Sequence, residues 1–281
     1  MAWLRLSLGT LVLGSAALLF AGRKTADAQA PSAAPASPSC PAEMAAIPGG
    51  TYTMGDRGDG TPRARATVAP YCMDRTEVTV TAYAACVTAG SCTAPDAYNP
   101  ALKDSLHPSH CTWNRSDRTT HPVNCVDWNQ ATTYCGWAGK RLPTDEEWEW
   151  AARNGPAGTV YPWGATRPDV QLGNFCSAEC NYYGGKKTAP ADGFPETAPV
   201  GSFARGDNHW GVHDLAGNVE EWTSTADVSL NKPVRAVRGG DWQEVIDTTL
   251  DPGAEIAARA IRRFTYRQTD RNDLVGFRCT R

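Results

Sequence analysis

"HPVNCVDWNQATTYCGWAGKRLPTDEEWEWAAR", residues 121–153, decides the fold. Two helices follow one another in it. Ala131, Cys135 and Ala138 recur at i, i+4 and i+7, which sets one face of a helix over roughly 128–138. The second helix opens at Thr144, with Glu147 three residues later. A hydroxyl and a carboxylate at that spacing satisfy each other's orphan backbone N–H groups, the capping box. The acidic first turn suits the positive end of the helix dipole, and Gly155 stands just past the end. Upstream, Tyr83, Ala84 and Val87 mark a third helix over roughly 79–88. Between and around these helices, Gly and Pro break many short apolar runs. "GGTYTMG" (49–55), "RAVRGG" (235–240) and "GFRC" (276–279) are the strand candidates. No internal repeat is present, and the pattern predicts an irregular fold with few long elements.

The 281 residues suit one large domain or two small ones. Residues 6–22 are uncharged and mostly apolar, Arg5 precedes them, and Arg23 and Lys24 follow. Ala28-Gln29-Ala30 fits a small-x-small cleavage site, so residues 1–30 read as a secretory signal peptide. The alternative is an uncleaved anchor; the apolar run falls just short of the roughly 20 residues a spanning helix needs, and no membrane span is expected after cleavage. "PSAAPASPS" (31–39) is a Pro/Ala/Ser linker with nothing large enough to build a core. Residues 40–281 are left as the folded part, secreted or periplasmic. The chain has a net charge of −3, and losing Arg5, Arg23, Lys24 and Asp27 makes it more acidic. That argues against nucleic-acid binding, which depends on neutralising phosphates.

All ten cysteines lie beyond residue 30, an even count that reads as a disulfide set in an exported chain. Cys86–Cys92 and Cys176–Cys180 are short local loops. Cys111–Cys125 and Cys40–Cys72 follow by proximity and elimination. A zinc reading of His107, His110 and Cys111 matches no common spacing. His209 and His213 stand at i, i+4, but Gly211 interrupts them as a helical metal pair. Arg57-Gly58-Asp59 reads as a turn. The ten tryptophans, many beside Gly, read first as core packing and second as the wall of an aromatic ligand cleft. Arg263, Arg267 and Arg271 suit either an anion cleft or buried ion pairs.

Taken in order, "IPGGTYTMGD" (47–56), "DRTEVTVTAYAACV" (74–87), the 121–153 segment, "YPWG" (161–164), "APVGSF" (198–203), "GVHDLAGNVEEW" (211–222), "VRGGDW" (237–242) and "GFRC" (276–279) resemble the sulfatase-modifying-factor family, the formylglycine-generating enzyme domain. The resemblance covers Ala46 to the C-terminus. It implies an α+β fold: a single irregular domain with C-type-lectin-like topology and little regular secondary structure. It also implies a bridge between Cys135 and Cys279. In the family, a copper(I) ion on a C-x₄-C pair oxidises a sulfatase cysteine with O₂, and soft thiolates suit that ion. Counted back from Cys279, the pair falls near Leu250 and Glu255, and a third family cysteine near Ala260. None is a cysteine, so no copper is expected and formylglycine generation is not. Cys176 and Cys180 have the wrong place and spacing to substitute.

Two calcium sites are carried over from the family. One comprises Asn174, Phe175, Asp192 and Phe194, with Gly193 between the last two. The other comprises Asp214, Gly217, Val219 and Glu221 around Asn218. Carboxylates, amides and backbone carbonyls are the oxygen ligands calcium takes. The resemblance therefore suggests a calcium-braced module that binds an exported protein, peptide or glycan. The alternative is a divergent enzyme of the same family, acting in oxidation or maturation of an exported protein or small molecule. For that enzyme Trp242, Glu244, Asp247, Glu255, Arg259 and Arg263 are the cleft candidates, since converging carboxylates with an Arg suit acid–base work.

Overall fold

Thr144 does cap a helix. In the computed structural model its side chain accepts from the N–H of Glu147 while the Glu147 carboxylate accepts from the N–H of Thr144. The structure describes residues 38–55, 64–96, 110–180, 190–227, 233–245 and 258–281, all within the unit Pro35–Arg281. The signal-peptide stretch 1–30, most of the linker, Arg57-Gly58-Asp59 and His107 lie outside the described residues.

Among the described residues three α-helices form: α1 (Val80–Thr88), α2 (Trp128–Trp137) and α3 (Asp145–Ala152). Helix α2 has a capping box of its own, Asp127 with Gln130, which the apolar periodicity does not reveal. The buried face of α1 is Val80, Tyr83 and Cys86, not Tyr83, Ala84 and Val87. The reason is covalent: Cys86 bridges to Cys92 just beyond the helix end, which turns that residue inward. The strands among the described residues are mostly short: β1 (Met44–Ile47), β2 (Gly50–Thr53), β3 (Arg65–Val68), β4 (Tyr71–Asp74), β5 (Glu220–Asp227), β6 (Val234–Arg238), β7 (Arg263–Arg267) and β8 (Val275–Gly276). They make two antiparallel pairs, β1–β4 and β2–β3, and one mixed sheet in the order β7-β6-β5-β8. Strand β8 runs parallel to β5, with Glu220 opposite Val275 and Glu221 opposite Gly276.

Helix α2 packs Ala131, Tyr134 and Cys135 against Tyr83, Trp222 and Phe277. The Cys135–Cys279 bridge lies inside this cluster and spans 144 residues of sequence. Helix α3 packs Trp148, Trp150 and Ala151 against Ile47, Tyr71 and Leu215. Truncating a tryptophan such as Trp148 to Ala in such a core costs about 3–5 kcal/mol. Trp148, Trp150, Trp222 and Trp242 are all buried, so for them core packing is the correct reading. The arginines are committed too. Arg238 sits between Asp145 and Glu149, and Arg263 bonds Asp145 and Asp227. Arg267 pairs with Asp270, and Arg271 with Asp96 and Asp127. All ten cysteines are closed in the five expected pairs.

Candidate functional site

Strand β6 ends in a turn that only glycine makes cheaply. Gly239 and Gly240 have φ of 100° and 72°, a region where a Cβ is strained. The turn drops Asp241, Trp242, Gln243 and Glu244 onto the edge of the mixed sheet. Trp242 donates its N–H to Asn218 O (3.0 Å) and its Nε1 to Asp273 O (3.2 Å). Its ring packs against the Cys176–Cys180 bridge and meets the edge of His110 at 5.1 Å. The Nδ1 of His110 lies 2.9 Å from the Asp273 carboxylate. Cys111 is bridged to Cys125, so it is no metal thiolate. His213 pairs with Asp207 at 2.7 Å rather than with His209.

Of the six cleft candidates, Trp242 and Glu244 come together on this floor. Arg263 does not join them; it is held on the far side by Asp145 and Asp227. Arg259 is half-buried between the buried Ala258 and Ala260. Asp247 and Glu255, and with them Leu250, lie outside the described residues.

Three residues absent from the sequence reading complete the floor: Glu220, Asp241 and Arg262. Successive strand residues point to opposite faces, so in β5 the adjacent Glu220 and Glu221 part company. Glu221 turns toward Trp148 and Arg278, while Glu220 hydrogen-bonds Tyr266 and faces Asp241, Glu244 and Arg262. Arg262 pairs with Glu244. Burial pushes the Glu220 carboxyl up to about 7, against the pull of Tyr266 and Arg262. Asp241 is driven well above the usual carboxylate range by burial, then by Glu220 and Glu244. Glu244 is raised by burial, and Arg262 offsets part of that. Three acids thus share one guanidinium, and burial with their mutual repulsion favours the protonated form of each. The signal lies in "NVEEW", where two acids stand side by side between apolar neighbours. An open groove of about 690 Å³ adjoins the cluster through Tyr266 and is otherwise lined by groups such as Asp127, Asp270, Arg271 and Asn272.

The two oxygen-ligand sets flank this floor. Asn174 donates Nδ2 to Glu196 O (3.0 Å) and Asn218 Oδ1 (3.2 Å). Its Oδ1 is buried without a partner, and so is Asp192 Oδ2. In the second set, Asp214 accepts from the N–H of Gly201 at 2.6 Å, and Glu221 takes Arg278 and the Trp148 Nε1. Glu77 leans into the same charge group and keeps Oε2 buried and unpartnered. Gly217, at φ 83°, lets this loop close on the first set: an added Cβ would collide with Asn174 O. Among the described residues no three His, Cys, Asp or Glu side chains gather to hold a metal by themselves. A cation here depends on amide and carbonyl oxygens as well.

Residues 29–281 match the family model described as the sulfatase-modifying factor enzyme 1-like domain. The chain belongs to this family. It is 39% identical over 167 residues to the inactive C-alpha-formylglycine-generating enzyme 2 of Bos taurus, covering 58% of this chain and 51% of that protein. The chain thus spans about half the length of that relative. It is 35% identical over 221 residues to the formylglycine-generating enzyme of Thermomonospora curvata, covering 64% and 70%. Among solved structures, PvdO from Pseudomonas aeruginosa superposes with a TM-score of 0.62 at 26% identity, covering 84% of this chain and 92% of that one. CarF superposes at 0.57 and 19% identity, over 86% and 98%. These likenesses fit the irregular α+β fold described above.

Proposed function

We propose that this is an exported domain of the family that has given up copper–thiolate oxidation and serves as a calcium-braced binding module for an exported protein, peptide or glycan. The observation that carries the first part is that every cysteine is bridged. Copper(I) needs thiolates, and a disulfide sulfur offers none. The likeness to a relative named as inactive points the same way. Export is supported by the five bridges, which persist in oxidising compartments, and by the apolar run at residues 6–22. No helix among the described residues is long and apolar enough to cross a membrane.

Calcium fits the first oxygen set, where buried acceptors lack partners. In the first, the orphaned Asn174 Oδ1 and Asp192 Oδ2 are acceptors with nothing to accept from, and Phe175 and Phe194 add carbonyls. In the second, Arg278 and the Trp148 Nε1 already occupy both Glu221 oxygens, and the one orphaned oxygen is that of Glu77, outside the set, so calcium there would have to displace the Arg278 pairing. The groove beside Tyr266, lined by paired charges with Asn272 and Thr269, suits a ligand with many hydrogen-bonding groups. The test has two arms. Incubation with a sulfatase-motif peptide, copper(I) and O₂ leaves the peptide cysteine intact by mass. Peptide and glycan arrays return ligands whose binding falls with EDTA. Aldehyde formation at the rate of a working family enzyme refutes the first part, and a blank array in calcium refutes the second.

The buried acids favour one second reading, a divergent enzyme in which Glu220 moves a proton. A group with a pKa near the operating pH is what general acid–base chemistry requires.

A further inference from the structure

The Cys176–Cys180 bridge closes a loop of only four residues in sequence. Among the five bridges it constrains the unfolded chain least, since that effect grows with loop length. Its position has another consequence. On one side its sulfurs lie against Trp242, and the N–H of Cys176 donates to Glu244 O at 2.9 Å. On the other side, the residues it encloses hold the loop that carries Asp192. Ser177 Oγ lies 2.9 Å from Asp192 Oδ1 and 2.7 Å from Glu179 Oε2, its one hydroxyl proton shared between the two carboxylates. Glu179 accepts from the backbone N–H of Asp192 (3.2 Å) and of Gly193 (2.9 Å). The Phe194 N–H also bonds Asp192 Oδ1, at 2.9 Å. With Oδ1 engaged in this way, Asp192 presents Oδ2. Asn174, which presents the other orphaned oxygen, stands two residues before Cys176. Ser177 is fully buried, and its exposed neighbour Ala178 puts the bridge one layer below the surface.

We propose that the Cys176–Cys180 bridge is a redox-sensitive clamp on the Asn174–Asp192 calcium site, holding Ser177 and Glu179 where they fix the Asp192–Phe194 loop. This rests on the calcium reading above. Reduction by a dithiol breaks the S–S bond; each protein sulfur gains an electron and a proton, and the reductant's two thiols become its disulfide. The freed loop no longer holds Ser177 and Glu179 in register, so the calcium oxygens must be ordered at binding instead of beforehand. Ser177 and Glu179 are positioning residues: their atoms bond Asp192 and Gly193.

Calorimetric calcium titration identifies the site as the isotherm that Asp192→Ala abolishes. In Cys176→Ser/Cys180→Ser its Kd rises at least tenfold. Glu179→Ala, which keeps the bridge, gives the same direction and covers the case in which the double variant fails to fold. For Glu179→Ala the melting temperature in EDTA stays close to that of the parent protein, and for the double Ser variant it falls only by the cost of the bridge itself, while in both the calcium-induced rise shrinks, a split that a merely structural role does not produce. Linkage is reciprocal, so calcium makes the bridge harder to reduce, by about 30 mV for each tenfold in Kd. A native protein with no Asp192-dependent isotherm overturns the calcium reading and the clamp with it. An isotherm unchanged in both variants overturns the clamp alone.

Discussion

Replacing Glu220 by Gln should make the protein more stable at alkaline pH and leave it unchanged in acid. The Glu220 carboxyl is 2% exposed and is pushed up to about 7 from an ordinary 4.5. The folded state therefore holds a proton that the unfolded chain releases earlier. Stability from that proton is fully present below pH 4.5 and is lost as pH rises through 7. At about 1.4 kcal/mol per pKa unit, the loss approaches about 3 kcal/mol by pH 8. Gln keeps the shape and an oxygen to accept from Tyr266 but never ionises, so it escapes this loss. Asp241 and Glu244 are shifted in the same direction, and their own loss persists in the variant. Urea unfolding at pH 4.5, 6, 7 and 8, with bridges intact and m-values compared, measures both curves. The two should coincide near pH 4.5 and separate by about 3 kcal/mol at pH 8, with the Glu220→Gln variant higher. Curves that stay parallel across the range, or a variant less stable at pH 8, refute the buried-acid account.

Removing the Cys135–Cys279 bridge as a double Ser variant should cost about 5 kcal/mol, from the chain-entropy relation applied to its 144-residue separation. The same relation gives about 2 kcal/mol for Cys86–Cys92, which closes six residues; denaturant titrations of both variants rank them. Arg278→Met should destabilise by about 3–5 kcal/mol, because it leaves Glu221 buried and uncompensated. Calcium at a hundredfold excess over Kd should stabilise the native state by about 2.7 kcal/mol per site, and melts in EDTA and in calcium check this.

The helices are readable because their signals are local. Thr144 with Glu147, and the spacing of Ala131 and Cys135, depend on nothing farther than a few residues away. Periodicity misplaces the buried face of α1 because Cys86 answers to a covalent bond rather than to the apolar pattern. Strand β5 is hidden in the sequence since its burial comes from partners far along the chain: β6 on one side and β8 on the other. The acid cluster is hidden for the same reason. Glu220, Asp241 and Arg262 meet only once the glycine turn after Arg238 and the β6–β7 pairing have formed. That no cysteine stands near Leu250 and Glu255, where the resemblance would put the copper pair, can be read directly, because it is a question of residue identity. The bracing of Asp192 by Ser177 and Glu179 cannot, because 13 residues of chain separate Glu179 from the N–H groups it holds.

On the function proposed above, this member of the family has no thiolate with which to hold copper(I). Alkylation of the unreduced protein with iodoacetamide in denaturant, followed by intact mass, tests it most directly. The account predicts no adduct on any of the ten cysteines, and addition on all ten after reduction. Two adducts on the unreduced chain would contradict it, because they would reveal an open cysteine pair available to copper(I).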